Sequence, residues 1–307
     1  MEGYRYCFID RSGNFGTDQR YDYAGRFSEG LAFVKLHGQA GYIDKTWKMV
    51  FSLQAGDGGE FTEGLAPVKV DQKWGYIDRT GHFLIEPRFG FANSFSDGLA
   101  LVWANAKYEY IDHTGRVAII PPQVGGEGIS DIDNRFVDGL ARISVGGKDG
   151  YIDKSGKIVI PPQFSGAGAF SEGLARVEID NGAGNGKVAY IDRTGKFVIR
   201  TQFNTDGDFE RNTTDFSEGW ASITEGLSRS ATEGKWVYID KAGKIALRVD
   251  FDYAGMFSDG RASVYHYATN KWGFIDKSGK VIISPQFDLV DLFGFSEGFC
   301  VVMINQT

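Results

Sequence analysis

Two cysteines, seven prolines and four histidines in 307 residues leave little room for several chemistries. Two thiols cannot form a disulfide framework or hold a structural zinc by themselves. His37, His82, His113 and His266 share no ligand spacing, so no metal site is expected. Prolines this scarce exclude a collagen or a proline-rich linker. No apolar run approaches the ~20 residues that a membrane helix needs, so no membrane insertion is expected. The opening MEGYRYCFID lacks the basic and apolar regions of a signal peptide. A cytoplasmic location is therefore the default expectation, with the compartment left open. The net charge of -7 and the lack of any block of Lys or Arg argue against a nucleic-acid surface. What the chain does have is glycine, 42 residues or about twice the usual share of roughly 7%. It also has 14% aromatics within a 42% hydrophobic composition, which is globular.

The glycine belongs to a repeat, and repeats decide a fold before local propensity does. An aromatic-Ile-Asp tripeptide ends at Asp10, Asp44, Asp78, Asp112, Asp153, Asp192, Asp240 and Asp276. A second mark, most often Phe-Ser-Glu-Gly-Leu-Ala, places glycine at 30, 64, 98, 139, 173, 219, 260 and 298. The first three Asp intervals are 34 residues and the next four are 41, 39, 48 and 36.

In the plainest copy, Leu65–Val70 alternates as a strand and Trp74–Ile77 is a second strand rich in aromatic and β-branched residues. Asp78-Arg79-Thr80-Gly81 is a reverse turn. Its carboxylate is expected to accept backbone N–H groups further along, with glycine supplying the positive φ. Phe83–Ile85 is the third strand, which Pro87 is expected to stop. Arg88–Ser94 leads back, with Phe89, Ala92 and Phe95 as packing anchors. In the second copy Trp47 stands where the turn glycine should be, which predicts a distorted turn. No stretch shows sustained helical periodicity. The expected fold is all-β: eight tandem three-stranded antiparallel repeats in one domain over residues 1–307. Thirty-four residues in three short strands cannot bury enough surface alone, so neighbouring units must cover one another.

Lys73-Trp74-Gly75-Tyr76-Ile77-Asp78 and Lys271-Trp272-Gly273-Phe274-Ile275-Asp276 resemble the WG (or KWG) repeat of bacterial proteins. So do Gly156–Phe164 and Phe170–Ala175, and the likeness extends over essentially the whole chain. The Trp-Gly pair itself stands only at 74–75 and 272–273. The resemblance implies a repeat module without a general catalytic activity, and no cofactor.

The chain begins with the second strand of a unit, Tyr4–Ile9, and ends with the first strand of one, Phe299–Ile304. Pairing of the two would complete the eighth unit, and an apolar edge of this kind left open invites aggregation. A propeller-like closed ring is therefore preferred, with an open superhelical β-solenoid as the alternative.

The long insertions fall at 124–135, 180–187, 204–215 and 224–235, in units four to six. In a meander these positions share one end of the sheet, so they are expected to project from one rim. Variable loops on a constant scaffold are where binding tends to sit. The candidate binding residues are Asp206, Asp208, Glu210 and Arg211 in one insertion, with Trp103, Tyr108, Tyr265 and Tyr267 beside two hairpin loops. Aromatics at loop edges suit protein hot spots or sugar faces; they also serve as extensions of the core. The acidic series from Asn204 to Glu210 alternates as calcium ligands do, but Phe209 stands where such a loop needs glycine. Gly294–Gly298 matches a hydrolase elbow only because it is the eighth Phe-Ser-Glu-Gly mark. No catalytic residue is assigned. The leading expectation is a non-enzymatic scaffold that binds another macromolecule, a protein, through the insertion-bearing rim. The alternatives are a lectin-like carbohydrate-binding module and a glycosidase-like hydrolase with central carboxylates.

Overall fold

The computed structural model describes residues 4–53, 56–121, 135–179, 186–204, 213–225 and 235–305. Among them there is no α-helix, and the strands sort into small antiparallel sheets. The chain divides into two compact units, residues 1–128 with 295–307 and residues 129–294.

The first unit holds four sheets. Sheet one pairs Tyr4–Asp10 with Phe299–Asn305, with Ile9 opposite Cys300 and Cys7 opposite Val302. Sheet two runs Tyr23–Ala24, Leu31–Leu36, Gln39–Asp44, Met49–Leu53. Sheet three runs Ala66–Val70, Lys73–Ile77, Phe83–Phe89, and sheet four Phe91–Ala92, Ala100–Ala104, Lys107–Ile111, Val117–Ile119. The second unit holds the other four. Sheet five is Leu140–Val145, Lys148–Asp153, Ile158–Phe164; sheet six is Gly166–Ala167, Ala175–Ile179, Lys187–Ile191, Phe197–Asn204. Sheet seven is Trp220–Glu225, Lys235–Asp240, Ile245–Val249; sheet eight is Tyr253–Ser258, Arg261–His266, Lys271–Ile275, Val281–Phe287. Three strands were expected in each repeat. In sheets two, four, six and eight the return segment adds a fourth one, of two residues in the first three and of six in sheet eight, because it lies close enough to pair with the first long strand.

The cores lie between sheets. Leu31, Phe33 and Tyr42 of sheet two pack with Phe61, Ala66, Val68 and Ile77 of sheet three. Leu65, Tyr76 and Ile85 pack in turn with Phe95, Ala100, Val102 and Ile111 of sheet four. Sheets five and six, six and seven, and seven and eight share cores in the same way. Sheets three, six and seven are thus apolar on both faces, and a neighbour covers each face.

The Phe-Ser-Glu-Gly mark makes the seams. Its phenylalanine is buried in all eight copies, from Phe27 to Phe295. Its serine donates to the carbonyl of the next copy's phenylalanine, Ser171 to Phe216 and Ser217 to Phe257, both at 2.6 Å. Its acid sits at a positive φ, 52° at Glu29, and its carboxylate accepts the amide of the next copy's glycine. Gly64 N reaches Glu29 at 3.1 Å, Gly98 N reaches Glu63 at 3.0 Å and Gly219 N reaches Glu172 at 3.0 Å. A left-handed residue with a Cβ costs roughly 1–2 kcal/mol, and a charge-assisted hydrogen bond offsets that. Lys241 Nζ, 3.0 Å from Glu172, adds a cation to the same carboxylate.

The glycine of the Trp-Gly pair has a similar mechanical cause. A Cβ on Gly75 would lie 2.5 Å from the Ile85 carbonyl oxygen and 2.7 Å from Pro87 N, so the outer strand crosses closely only there. Gly150 and Gly273 meet their outer strands alike. Through this crossing the strand Phe83–Phe89 continues past Pro87 instead of stopping. The register shifts between Trp74 and Tyr76, and at an edge bulge the missing donor of proline is tolerated.

Trp47 likewise leaves its turn intact. Its φ is 67°, and its amide donates to Asp44 O at 2.9 Å just as Gly81 donates to Asp78 O at 3.0 Å. The indole packs on Phe8, Phe27 and Phe299, with ring centroids 5.4, 5.8 and 5.0 Å away. Trp47→Gly is therefore expected to destabilise the first unit by about 2 kcal/mol, the lost aromatic burial exceeding the backbone relief. Urea denaturation of the two proteins measures it; a stabilised variant would mean that the strain dominates.

Candidate functional site

The two ends of each sheet are built differently. At one end lie the Asp-x-x-Gly turns. Asp78 Oδ1 accepts from Thr80 N at 2.8 Å, Thr80 Oγ1 at 2.6 Å and His82 N at 3.1 Å. The same set recurs at Asp44, Asp112, Asp153, Asp192 and Asp276. These six carboxyls are held below the ordinary value of 3.8, first by the hydroxyl hydrogen bond, against a burial penalty, with backbone N–H groups adding to it. The carboxylates are thus committed to the turns. Since folding depresses these pKa values, their stabilisation is complete above 3.8 and is lost as pH falls through the lowered folded values. Stability is expected to stay nearly level from about pH 5 to 8 and to fall steeply below about pH 4. Denaturant midpoints across that range check it; a fall already under way near pH 6 would implicate other groups.

The other end carries the loops. In sheet six Ile179 pairs with Lys187, and Lys187 with Asn204, so three strands end side by side. Segments 180–185 and 205–212 both depart from that edge. In sheet seven Glu225 pairs with Lys235, the two residues that bound segment 226–234. The candidates Asp206, Asp208, Glu210 and Arg211 lie outside the described residues, as does most of each insertion.

The candidate aromatics fall into two separate groups. Trp103 and Tyr108 are cross-strand partners in the first unit, 4.7 Å apart edge to face, and Phe91 stands on the other side of Trp103. Trp103 is 38% exposed. In the second unit Tyr265 meets Tyr267 at 5.3 Å and Trp272 at 5.0 Å, and Trp272 meets Tyr253, which meets Trp236. This ladder runs from the buried Trp236 to Tyr267, 47% exposed. The aromatics both extend the core and reach solvent. Tyr267 N donates to Asp252 Oδ2 at 2.6 Å, which fixes the loop that presents the ring.

A third feature was missed in the sequence. The third residue after the mark's glycine points into the seam. It is Phe33, Pro67, Leu101 and Val301 in the first unit, but Arg142, Arg176, Ser222 and Ser263 in the second. Arg142 Nη1 donates to Ala167 O at 3.1 Å and lies 3.5 Å from Asp149. Burial pushes the Asp149 carboxyl up, against the pull of Arg142. Arg176 Nε donates to Asp215 Oδ1 at 2.8 Å and its Nη1 to Thr213 Oγ1 at 3.1 Å. Ser222 Oγ donates to Ala254 O at 2.9 Å. Ser263 Oγ, fully buried, has no partner among the described residues. Comparing the eight copies at this one position would have exposed the change from apolar to polar. A similar exchange puts Glu109 where four of the seven sister strands have glycine; it is 4% exposed and paired with Lys107 at 2.9 Å.

The profile of the WG-containing repeat matches residues 6–39, 41–74, 74–108, 150–182, 236–266 and 272–307. The chain belongs to the WG-containing repeat family. The two long stretches outside those matches, 109–149 and 183–235, contain the insertions and several of the polar exchanges, so the WG repeat is most altered where the loops are longest. Comparison with curated protein sequences gives no match. Among solved structures, a crystal structure of a eukaryotic initiation factor is similar with a TM-score of 0.58 at 12% identity, over 94% of this chain and 86% of that one. A streptogramin B lyase is similar at 0.44 and 12% identity over 98% of each chain. Virginiamycin B lyase from Staphylococcus aureus is similar at 0.41 and 11% identity, over 99% of this chain and 100% of that one. These neighbours are propeller-like β folds, and the likeness of the first to the WG chain is one of fold alone.

Proposed function

We propose that this WG-repeat chain is a non-enzymatic scaffold of eight units, closed into a propeller-like ring, that binds another protein through the loop end of units four to six. The observation that carries the reading is the alignment of Ile179, Lys187 and Asn204 across three strands, which sends two long insertions from one edge of one sheet. The Tyr265–Tyr267–Trp272 group adds rigid aromatic area of the kind that anchors protein partners. Closure is supported by the seven-residue pairing of Tyr4–Asp10 with Phe299–Asn305. Arg142, Arg176 and Ser222 in the second unit pair with side chains and backbone across the seams, which suits a structural role.

The test places a photo-crosslinking amino acid at Tyr267 in the full chain, and separately at Ser155 in a turn at the opposite end. A protein captured from Tyr267, not from Ser155, and lost when 205–212 is replaced by a short Gly-Ser linker is the expected result. No protein captured, together with specific hits on a glycan array, would replace this reading with the carbohydrate-binding one.

A further inference from the structure

Sheets two to eight each have an edge at the strand that follows the Asp turn, and an edge strand offers a row of unpaired backbone donors and acceptors to any extended chain. Four of these edges are blunted here, while the outer strands of sheets two, six and seven carry no proline. Pro87 in sheet three, Pro161 and Pro162 in sheet five and Pro285 in sheet eight each remove a donor from the outer strand. In sheet four the outer strand is only Val117–Ile119.

Sheet six departs from that rule. Its outer strand, Phe197–Asn204, is the longest of the set at eight residues and contains no proline. Thr201 stands where proline stands in sheets three, five and eight. Its Oγ1 donates to Val188 O at 2.7 Å and accepts from Phe203 N at 3.2 Å, which holds the strand against its neighbour. Lys196, Val198 and Arg200 alternate outward, all exposed, with Val198 at 50%. From Arg193 to Asn204 there are three cations and no acid, in a chain whose net charge is -7. Arg200 lies over the Phe197 ring at 3.9 Å, and among the described residues it forms no ion pair. Sheet seven, also free of proline in its outer strand, has its corresponding Arg248 held by Glu225 at 3.1 Å.

We infer that the outer edge of sheet six accepts an extended acidic segment of a partner protein as an additional β-strand. Main-chain hydrogen bonds along Phe197–Asn204 supply the affinity, and Lys196 and Arg200 select carboxylates two positions either side of an apolar residue over Val198. This surface meets the loop end only at Asn204, and its test stands whether or not that end binds protein.

The probe is the peptide acetyl-TETVTET-amide, whose Glu, Val and Glu share one face of a strand in either direction. Added to the full chain, it should slow amide exchange in residues 196–203, and its affinity should fall with added salt. The lysine analogue acetyl-TKTVTKT-amide and a version N-methylated at alternate residues should bind at least about tenfold more weakly. Thr201→Pro, which installs the proline of the sister sheets, should reduce binding by a similar factor. The exposed double change Lys196→Glu with Arg200→Glu, which gives up the stacking of Arg200 on Phe197 but no buried side chain, should do so with only a small shift in the denaturation midpoint. Equal binding of the acidic and basic peptides, binding unchanged in the double variant, or no binding at about 1 mM would each overturn the inference.

Discussion

Deleting the last strand, Phe299–Asn305, is expected to unfold the first unit. That strand pairs residue for residue with Tyr4–Asp10 and brings Cys300, Val301 and Val302 into burial. Its loss would uncover Cys7, Phe8 and Ile9, all fully buried, and remove Phe299 from the aromatic group around Trp47. At roughly 1.5–3 kcal/mol for each large apolar side chain, the loss is about 8 kcal/mol or more. That is the size of a whole domain's stability, usually 5–15 kcal/mol. A single apolar substitution such as Val302→Ala should cost only about 2 kcal/mol and leave the unit folded. Amide exchange that becomes fast throughout residues 4–53 in the truncated chain, but not in the point variant, is the expected result. Retained protection there would show that the remaining sheets suffice.

Much of this architecture could be read from eight copies of one unit, because the same side chain had to solve the same problem eight times. The buried phenylalanines and the turn aspartates stand where pattern and turn chemistry put them, whereas the first strand, expected to alternate, is buried at every position from Leu65 to Val68 because neighbours cover both of its faces. What the pattern concealed was the neighbour. The acid in Phe-Ser-Glu-Gly looks like a solvated turn residue until Gly64, a repeat away, is seen to donate to Glu29. Pro87 reads as a terminator, and at an edge bulge over Gly75 it is not one. Trp47 reads as a fault in a turn, whereas Phe8, Phe27 and Phe299 provide its reason. The candidate binding residues divided in the same way. Tyr265 and Tyr267 proved to be adjacent rings, while Trp103 and Tyr108 form a separate cross-strand pair. The polar row from Arg142 to Ser263 was written in the sequence, but its meaning depends on carbonyls that only folding brings near.

That row holds the second unit's most sensitive residue. The Arg176 side chain is 9% exposed and Asp215 beside it 26%, and Thr213 accepts a hydrogen bond from Nη1 of the same guanidinium. Arg176→Ala would leave a largely desolvated carboxylate and a threonine without their donor, and breaking a buried pair from one side costs about 3–5 kcal/mol. The partial exposure of Asp215 places the expected loss near the lower value, about 3 kcal/mol. Removing both charges should cost less than removing one, so Arg176→Met combined with Asp215→Asn is expected to recover about half of the loss. Gly168 gives an independent handle. A Cβ there would sit 2.4 Å from Asp215 Oδ1 and 2.8 Å from Arg176 Cγ, so Gly168→Ala should destabilise by displacing the pair without touching either charge. Urea denaturation of the four proteins decides the matter. A double variant no more stable than Arg176→Ala would mean that the stranded carboxylate does not account for the loss, because methionine keeps the apolar stem and asparagine removes the charge, and that the hydrogen bonds to Thr213 do.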